Sequence, residues 1–138
     1  MKKFETFEHT ADIGLKIYAK DSKELFINAA KGLFSLITDL NKVQASDKIS
    51  VNLEDDNREE LLISWLNELI FQFSARNFIP KEFKINKISD KELNAEVHGE
   101  NLDSAKHKIL SEVKAATYHE LEIKETQDGL EARIIFDT

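Results

Sequence analysis

Ile13-Gly14-Leu15-Lys16-Ile17-Tyr18-Ala19-Lys20-Asp21-Ser22-Lys23-Glu24-Leu25-Phe26 changes its hydrophobic rhythm midway. Ile13, Leu15, Ile17 and Ala19 recur at every second position, the period of a strand with one buried face. Asp21 then offers a side-chain acceptor with Glu24 three residues later, a capping-box-like helix start. Leu25, Phe26, Ala29, Leu33 and Ile37 follow on one helical stripe, and the helix is expected to end near Asp39. A strand that feeds directly into an amphipathic helix places the chain in a mixed α and β class.

Working outward, Phe4 to Glu8 is a further extended piece that can pair nearby. Ile49, Val51 and Leu53 alternate with Ser50, Asn52 and Glu54, giving another strand before the acidic turn Glu54-Asp55-Asp56-Asn57. From Arg58 to about Ala75 the spacing is helical again, with Leu61, Leu62, Trp65, Leu66, Leu69, Ile70 and Phe73 on one broad face. Phe83 and Ile85, then Leu93, Ala95 and Val97, predict a hairpin through Ser89-Asp90-Lys91. Ala105, Ile109 and Val113 stand four apart and predict a short helix over 104–113. Thr117, His119, Leu121 and Ile123 alternate, Asp128-Gly129 turns the chain, and Leu130, Ala132, Ile134 and Phe136 alternate after it. The expected fold is α+β, a two-layer sandwich with two long helices packed on one face of a mostly antiparallel sheet.

The 138 residues suit a single domain over 1–138, able to bury roughly two-thirds of the surface of the unfolded chain in one core. There is no repeat or low-complexity tract, and the lone Pro80 marks no linker. No apolar run approaches the ~18 residues of a membrane span, and Met1-Lys2-Lys3-Phe4-Glu5-Thr6 has no signal-peptide pattern, so a soluble cytoplasmic protein with no membrane partner is expected. The absence of cysteine excludes disulfides, thiolate metal sites and cysteine nucleophiles, leaving oxygen and imidazole ligands. A formal charge of −7 argues against general nucleic-acid binding, although Lys106, Lys108 and Lys114 form a local basic group.

Three places carry candidate chemistry. Glu8-His9-Thr10-Ala11-Asp12-Ile13-Gly14 crowds ionisable groups into a turn, where the bland reading is a capped turn with a surface imidazole. Asp137 follows the core residue Phe136 and stands beside Thr138 and its terminal carboxylate. Parity puts Asp137 on the face opposite Ile134 and Phe136, and Asp12 bears the same relation to Ile13, Leu15 and Ile17. If those two strands are neighbours, Asp12 and Asp137 can converge on one hard cation, Ca²⁺ or Mg²⁺. Lys114-Ala115-Ala116-Thr117-Tyr118-His119, with His107 near in sequence, could bind phosphate or move protons, or could simply begin a strand with Thr117 and His119 inward. No nucleophile elbow, glycine-rich phosphate loop or HExxH pair accompanies them, so no catalytic residue is assigned. Trp65 is expected in the core, with Asn67 and Glu68 as contact residues.

Taken together, Phe7 to Gly14, Leu62-Ile63-Ser64-Trp65-Leu66-Asn67-Glu68-Leu69, Lys114 to His119 and Phe136-Asp137 resemble the archease family, in order and over essentially the whole chain. The resemblance implies a non-enzymatic accessory protein of the RtcB-type tRNA-splicing ligase. Such a protein promotes ligase guanylylation, restores turnover and broadens the use of nucleoside triphosphates. It also implies a bound divalent cation, usually calcium, on Asp12, Asp137 and Thr138, with His9, Lys114 and His119 as partner or nucleotide contacts. The expected form is a monomer that meets tRNA only through the ligase. Two departures stand out: Asp137-Thr138 replaces a common Asp-Ile, and the middle alanine of Lys114-Ala115-Ala116-Thr117 replaces a common valine. A metal-dependent phosphohydrolase built on Asp12, His9 and Asp137, or an RNA-binding chaperone of tRNA-modifying enzymes, is the alternative.

Overall fold

Asp21 and Asn57 start the two helices. Both are extended, and their side chains accept from the Glu24 and Glu60 amides at 2.9 Å, satisfying donors that the first turn leaves orphaned. Glu24 reaches back to the Lys20 amide at 3.2 Å, one residue beyond the usual reciprocal partner of a capping box. Asn77 ends the second helix in the left-handed region at φ 57, its amide returning to Phe73 O.

The computed structural model describes residues 2–9 and 12–138, with Glu8 and His9 described by their backbone alone. The element order is β1 (Phe4–His9), β2 (Asp12–Ala19), α1 (Ser22–Ile37), a 3₁₀ turn (Leu40–Lys42), β3 (Asp47–Glu54), α2 (Arg58–Arg76), β4 (Phe78–Ile88), β5 (Glu92–Asn101), β6 (Ala115–Thr126) and β7 (Gly129–Asp137). All described pairings are antiparallel.

The α+β class holds, but the single sheet with both helices on one face does not. The strands form two sheets, β1-β2-β7-β6 and β3-β5-β4. Each helix touches both: α1 lies against β1, β2 and β7 on one side and β4 on the other, and α2 against β6 and also β3, β4 and β5. The physical reason is visible in α1. Its buried residues include Leu25, Phe26, Asn28, Ala29, Ala30, Gly32, Leu33 and Phe34, an arc too wide to be covered by one sheet face. One continuous cluster joins Leu15 and Ile17, Phe26 and Leu33, Trp65 and Leu69, and Ile85 and Val97. Trp65 ties three parts together: its indole N–H donates to Phe26 O at 2.9 Å, and its ring meets Phe83 edge-on at 6.0 Å. No helix among the described residues is long and apolar enough to cross a membrane.

The helix expected over 104–113 is also corrected. Apart from a turn at 104–106 that stretch is irregular, because its backbone groups are taken by other partners. Asp103 accepts from the Ala105 amide at 3.0 Å, Leu110 N–H donates to Ile37 O at 2.7 Å, and Thr38 Oγ1 donates to Lys108 O at 2.8 Å. The segment seals the C-terminal end of α1.

Candidate functional site

The four-stranded sheet gathers the candidate residues at one end. In the β1–β2 ladder His9 lies opposite Asp12. The β2–β7 ladder runs to Ile13 opposite Phe136, one residue short of Asp12 and Asp137, so those two residues end neighbouring strands side by side. Asp137 is paired with Ala115 on β6, and the Lys114 amide donates to Asp137 O at 2.8 Å. His9, Asp12, Asp137 and Ala115 therefore stand in a row across β1, β2, β7 and β6, with Lys114 the residue that leads into β6. The side chain of His9, with Thr10 and Ala11, lies outside the described residues. Asp12 is half-buried, while Asp137 and Thr138 are exposed. Since Asp137 O is already engaged, its carboxylate is the group left to face a ligand.

Two devices shape this end of the sheet. A Cβ on Gly14 would fall 2.2 Å from atoms of the Phe7 ring, so only glycine lets that ring lie flat across β2. The Arg133 guanidinium carbon in turn sits 4.1 Å from the Phe7 ring centroid, a cation–π contact that caps the ring. On the other flank, Asn67 of α2 accepts from the Ala116 amide at 2.7 Å and donates to Ala116 O at 3.1 Å. It does for the outer edge of β6 what a further strand would do.

Beyond this clamp β6 leaves simple alternation. Thr117 faces Ile135 and donates to its carbonyl at 2.8 Å, but Glu122 faces Arg133, so residues 118–121 bulge from the ladder and Glu120 takes φ 53. His119 is thus turned outward and not inward as plain strand alternation would have it, 62% exposed, with Nε2 3.6 Å from Glu120. Tyr118 is exposed as well. Desolvation, then the charges of Glu60 and Asp55, raise its phenol above the ordinary value. The bulge hence presents an aromatic ring and an imidazole beside an acidic helix start, a feature the plain alternation concealed.

His107 takes no part in the Lys114 cluster. It is buried, 3% exposed, and its Nδ1 accepts from the Asp103 amide at 3.0 Å while Nε2 lies 3.1 Å from Glu100. Glu100 also accepts from Lys106 and from the Gln44 amide. Its carboxyl is pulled down to about 2, chiefly by Lys106 and the Gln44 amide. That cluster anchors the 102–114 connector. Asn67, expected as a partner contact, instead clamps the edge of β6, and Phe7, quoted only within a motif, packs over Gly14.

Among the described residues no group of three or more His, Cys, Asp or Glu is placed to hold a metal ion. The donors available at the strand end are carboxylate and main-chain oxygens, the chemistry that suits a hard cation.

Comparison with known proteins places these observations. The Archease protein family (MTH1598/TM1083) matches residues 4–138. Protein archease of Pyrococcus abyssi is 38% identical over 94% of this chain and 93% of its own length, and that of Methanosarcina barkeri 34% identical over 99% and 96%. The solution structure of Methanobacterium thermoautotrophicum protein 1598 superimposes with a TM-score of 0.84 at 35% identity, covering 100% of both chains. A Thermotoga maritima crystal structure described as an archease, possible chaperone, shares the fold at a TM-score of 0.68 and 21% identity over 97% and 96%. The first two relatives carry the name protein archease, and the Thermotoga maritima one the description possible chaperone.

Proposed function

The chain belongs to the archease family, and from that premise we propose that it is an accessory activator of an RtcB-type tRNA-splicing RNA ligase, promoting guanylylation and repeated turnover and broadening nucleoside triphosphate use. The observation that supports this reading is the convergence of the separate sequence motifs on one exposed strand end. Three supply the neighbouring strand ends at Asp12 and Asp137 and the start of β6 with Lys114 before it and the His119 bulge beyond, and the fourth supplies Asn67, which braces the start of β6 from α2.

Asp12 and Asp137, with a main-chain oxygen of Thr138, would hold a divalent cation, Ca²⁺ by the character of the oxygen donors. When bound, such a cation supplies positive charge and open positions for phosphate or carboxylate oxygens of the partner. Lys114 and His119, both exposed, add cationic and proton-carrying groups on the β6 side of the row. Phe7 and Asn67 keep the strand ends in register and supply no chemistry.

The test is a ligase guanylylation assay with GTP and Mn²⁺, with and without this protein. Catalytic amounts should raise the yield of guanylylated ligase. Asp12→Ala and Asp137→Ala should abolish the gain without lowering the melting temperature, and Lys114→Ala should reduce it. Guanylylation indifferent to the protein at every concentration, together with metal-dependent phosphoester turnover by the isolated chain, would overturn the reading.

A further inference from the structure

At the opposite end of β2, roughly 24 Å from Asp12 by the rise of an antiparallel strand, lies an open concavity of about 480 Å³ between the start of β1 and α1. Its charge is inverted relative to the chain. The sequence has 26 acidic against 19 Lys and Arg residues, yet the concavity is lined by Lys2, Lys3, Lys20, Lys23 and Lys31 against two carboxylates, Asp21 and Glu24. Those carboxylates are already committed, Asp21 to the Glu24 amide as the cap of α1 and Glu24 to the Lys20 amide. Lys2 pairs with Glu5 at 2.6 Å and Lys20 approaches Glu24 at 3.9 Å. Among the described residues Lys3, Lys23 and Lys31 have no carboxylate within 4.0 Å. The Tyr18 hydroxyl in the floor donates to Glu5 at 2.7 Å; that bond, then burial, pushes its phenol up to about 12, so it adds no negative charge.

We propose that this lysine-lined concavity binds the phosphate backbone of an RNA strand. Lysine is a compact point charge that meets phosphate without demanding a bidentate geometry, and the lining, which contains lysines and no arginine, is suited to following a backbone of repeated charge and not one planar group. Lys23 and Lys31 are eight positions apart on α1, about 12 Å along the helix axis. Such a track exceeds one phosphate group and fits a run of them. The net charge of the chain, which argues against general nucleic-acid binding, averages over this local inversion. The inference does not rest on the ligase reading, but the two are compatible in space: a protein partner on the Asp12 end leaves the lysine end free for RNA.

The measurement is fluorescence anisotropy of a labelled, unstructured RNA oligonucleotide against the full chain over a series of salt concentrations. Three phosphate contacts predict a log–log salt slope of about −2 for a single strand, and each of Lys3→Gln, Lys23→Gln and Lys31→Gln should flatten it by about 0.7. The triple variant should lose binding by at least about tenfold at low salt and keep the wild-type melting temperature. Lys48→Gln with Lys84→Gln, on the three-stranded sheet, should change nothing. The proposal is overturned by absence of RNA binding at about 50 mM salt, by equal binding of the triple variant, by preference for polyglutamate over RNA, or by displacement of RNA by GTP beyond the effect of its ionic strength.

Discussion

The two sheets are built to opposite ends. On the three-stranded sheet the exposed polar side chains satisfy one another across strands: Asn86 donates to Asn94 at 3.0 Å, Asn94 donates to Asn52, and Lys48 and Lys84 flank Glu96 at 3.3 and 3.9 Å. These side chains pair with one another along the strands. The four-stranded sheet instead directs polar groups to a strand end and a bulge, where Asp137, Lys114, Tyr118 and His119 are exposed, and it needs help from outside the sheet to do so, from Asn67 and the Phe7–Arg133 stack. One sheet is scaffold and the other carries the site, and the core between them is shared.

The shared core gives the largest expected effect. Trp65 is fully buried, touches Phe83 of one sheet and α1 through Phe26 O, and its truncation leaves a cavity and removes the indole donor that joins α2 to α1. Trp65→Ala should cost about 3–5 kcal/mol in denaturant unfolding, with both sheets melting in one transition. Two separate transitions would show that the sheets do not depend on one another. Next comes Asn67→Ala, which strips both partners from Ala116 and should cost about 1–3 kcal/mol while raising amide exchange at the start of β6. Its counterpart on the scaffold, Asn94→Ala, should stay within about 0.5 kcal/mol, because Asn94 is only half-buried and water can replace its partners. Equal costs at the two asparagines would remove the distinction between the sheets.

A smaller step probes the site sheet alone. Gly14→Ala sets a methyl group against the Phe7 ring and should cost about 1–3 kcal/mol by overpacking, with the Phe7 ring leaving Arg133. Unchanged ring chemical shifts in Phe7 would show that the ring has room to spare.

The sequence disclosed some of this contrast. Both long helices, the Asp21 cap of the first and the β4–β5 hairpin follow from period and turn chemistry, which are local. Parity predicted that Asp12 and Asp137 would end adjacent strands if β2 and β7 paired, and they do pair. Partition into two sheets was hidden, because a period of two gives the buried face of a strand and says nothing about its neighbour. The β6 bulge was hidden because Glu120, and no glycine or asparagine, takes the left-handed conformation. In 104–113 the spacing of Ala105, Ile109 and Val113 satisfied a helical period, while the local side-chain bonds of Asp103 and His107 and the bonds of Lys108 and Leu110 to the end of α1 decided the outcome.

The connector between the sheets offers the gentlest way to separate them. Glu100, at the end of β5, holds Lys106, the Gln44 amide and the His107 ring, and so fastens the 102–114 segment that leads into β6. Its carboxyl lies at about 2 in the folded chain against an ordinary 4.5. A depressed carboxylate favours the folded form fully above the unfolded value, and that contribution is lost as pH falls from about 4.5 through about 2. In this window the amides of Gln44 and Asp103 should lose exchange protection before those of the β3–β5 ladder. Glu100→Gln should produce the same early opening at neutral pH, since the amide retains the shape and one acceptor but drops the charge that Lys106 meets. If acid opened the β3–β5 ladder and the connector together, or if the variant left the Gln44 amide as protected as in the parent, the connector would be held by Leu110 and Thr38 against α1 and not by Glu100.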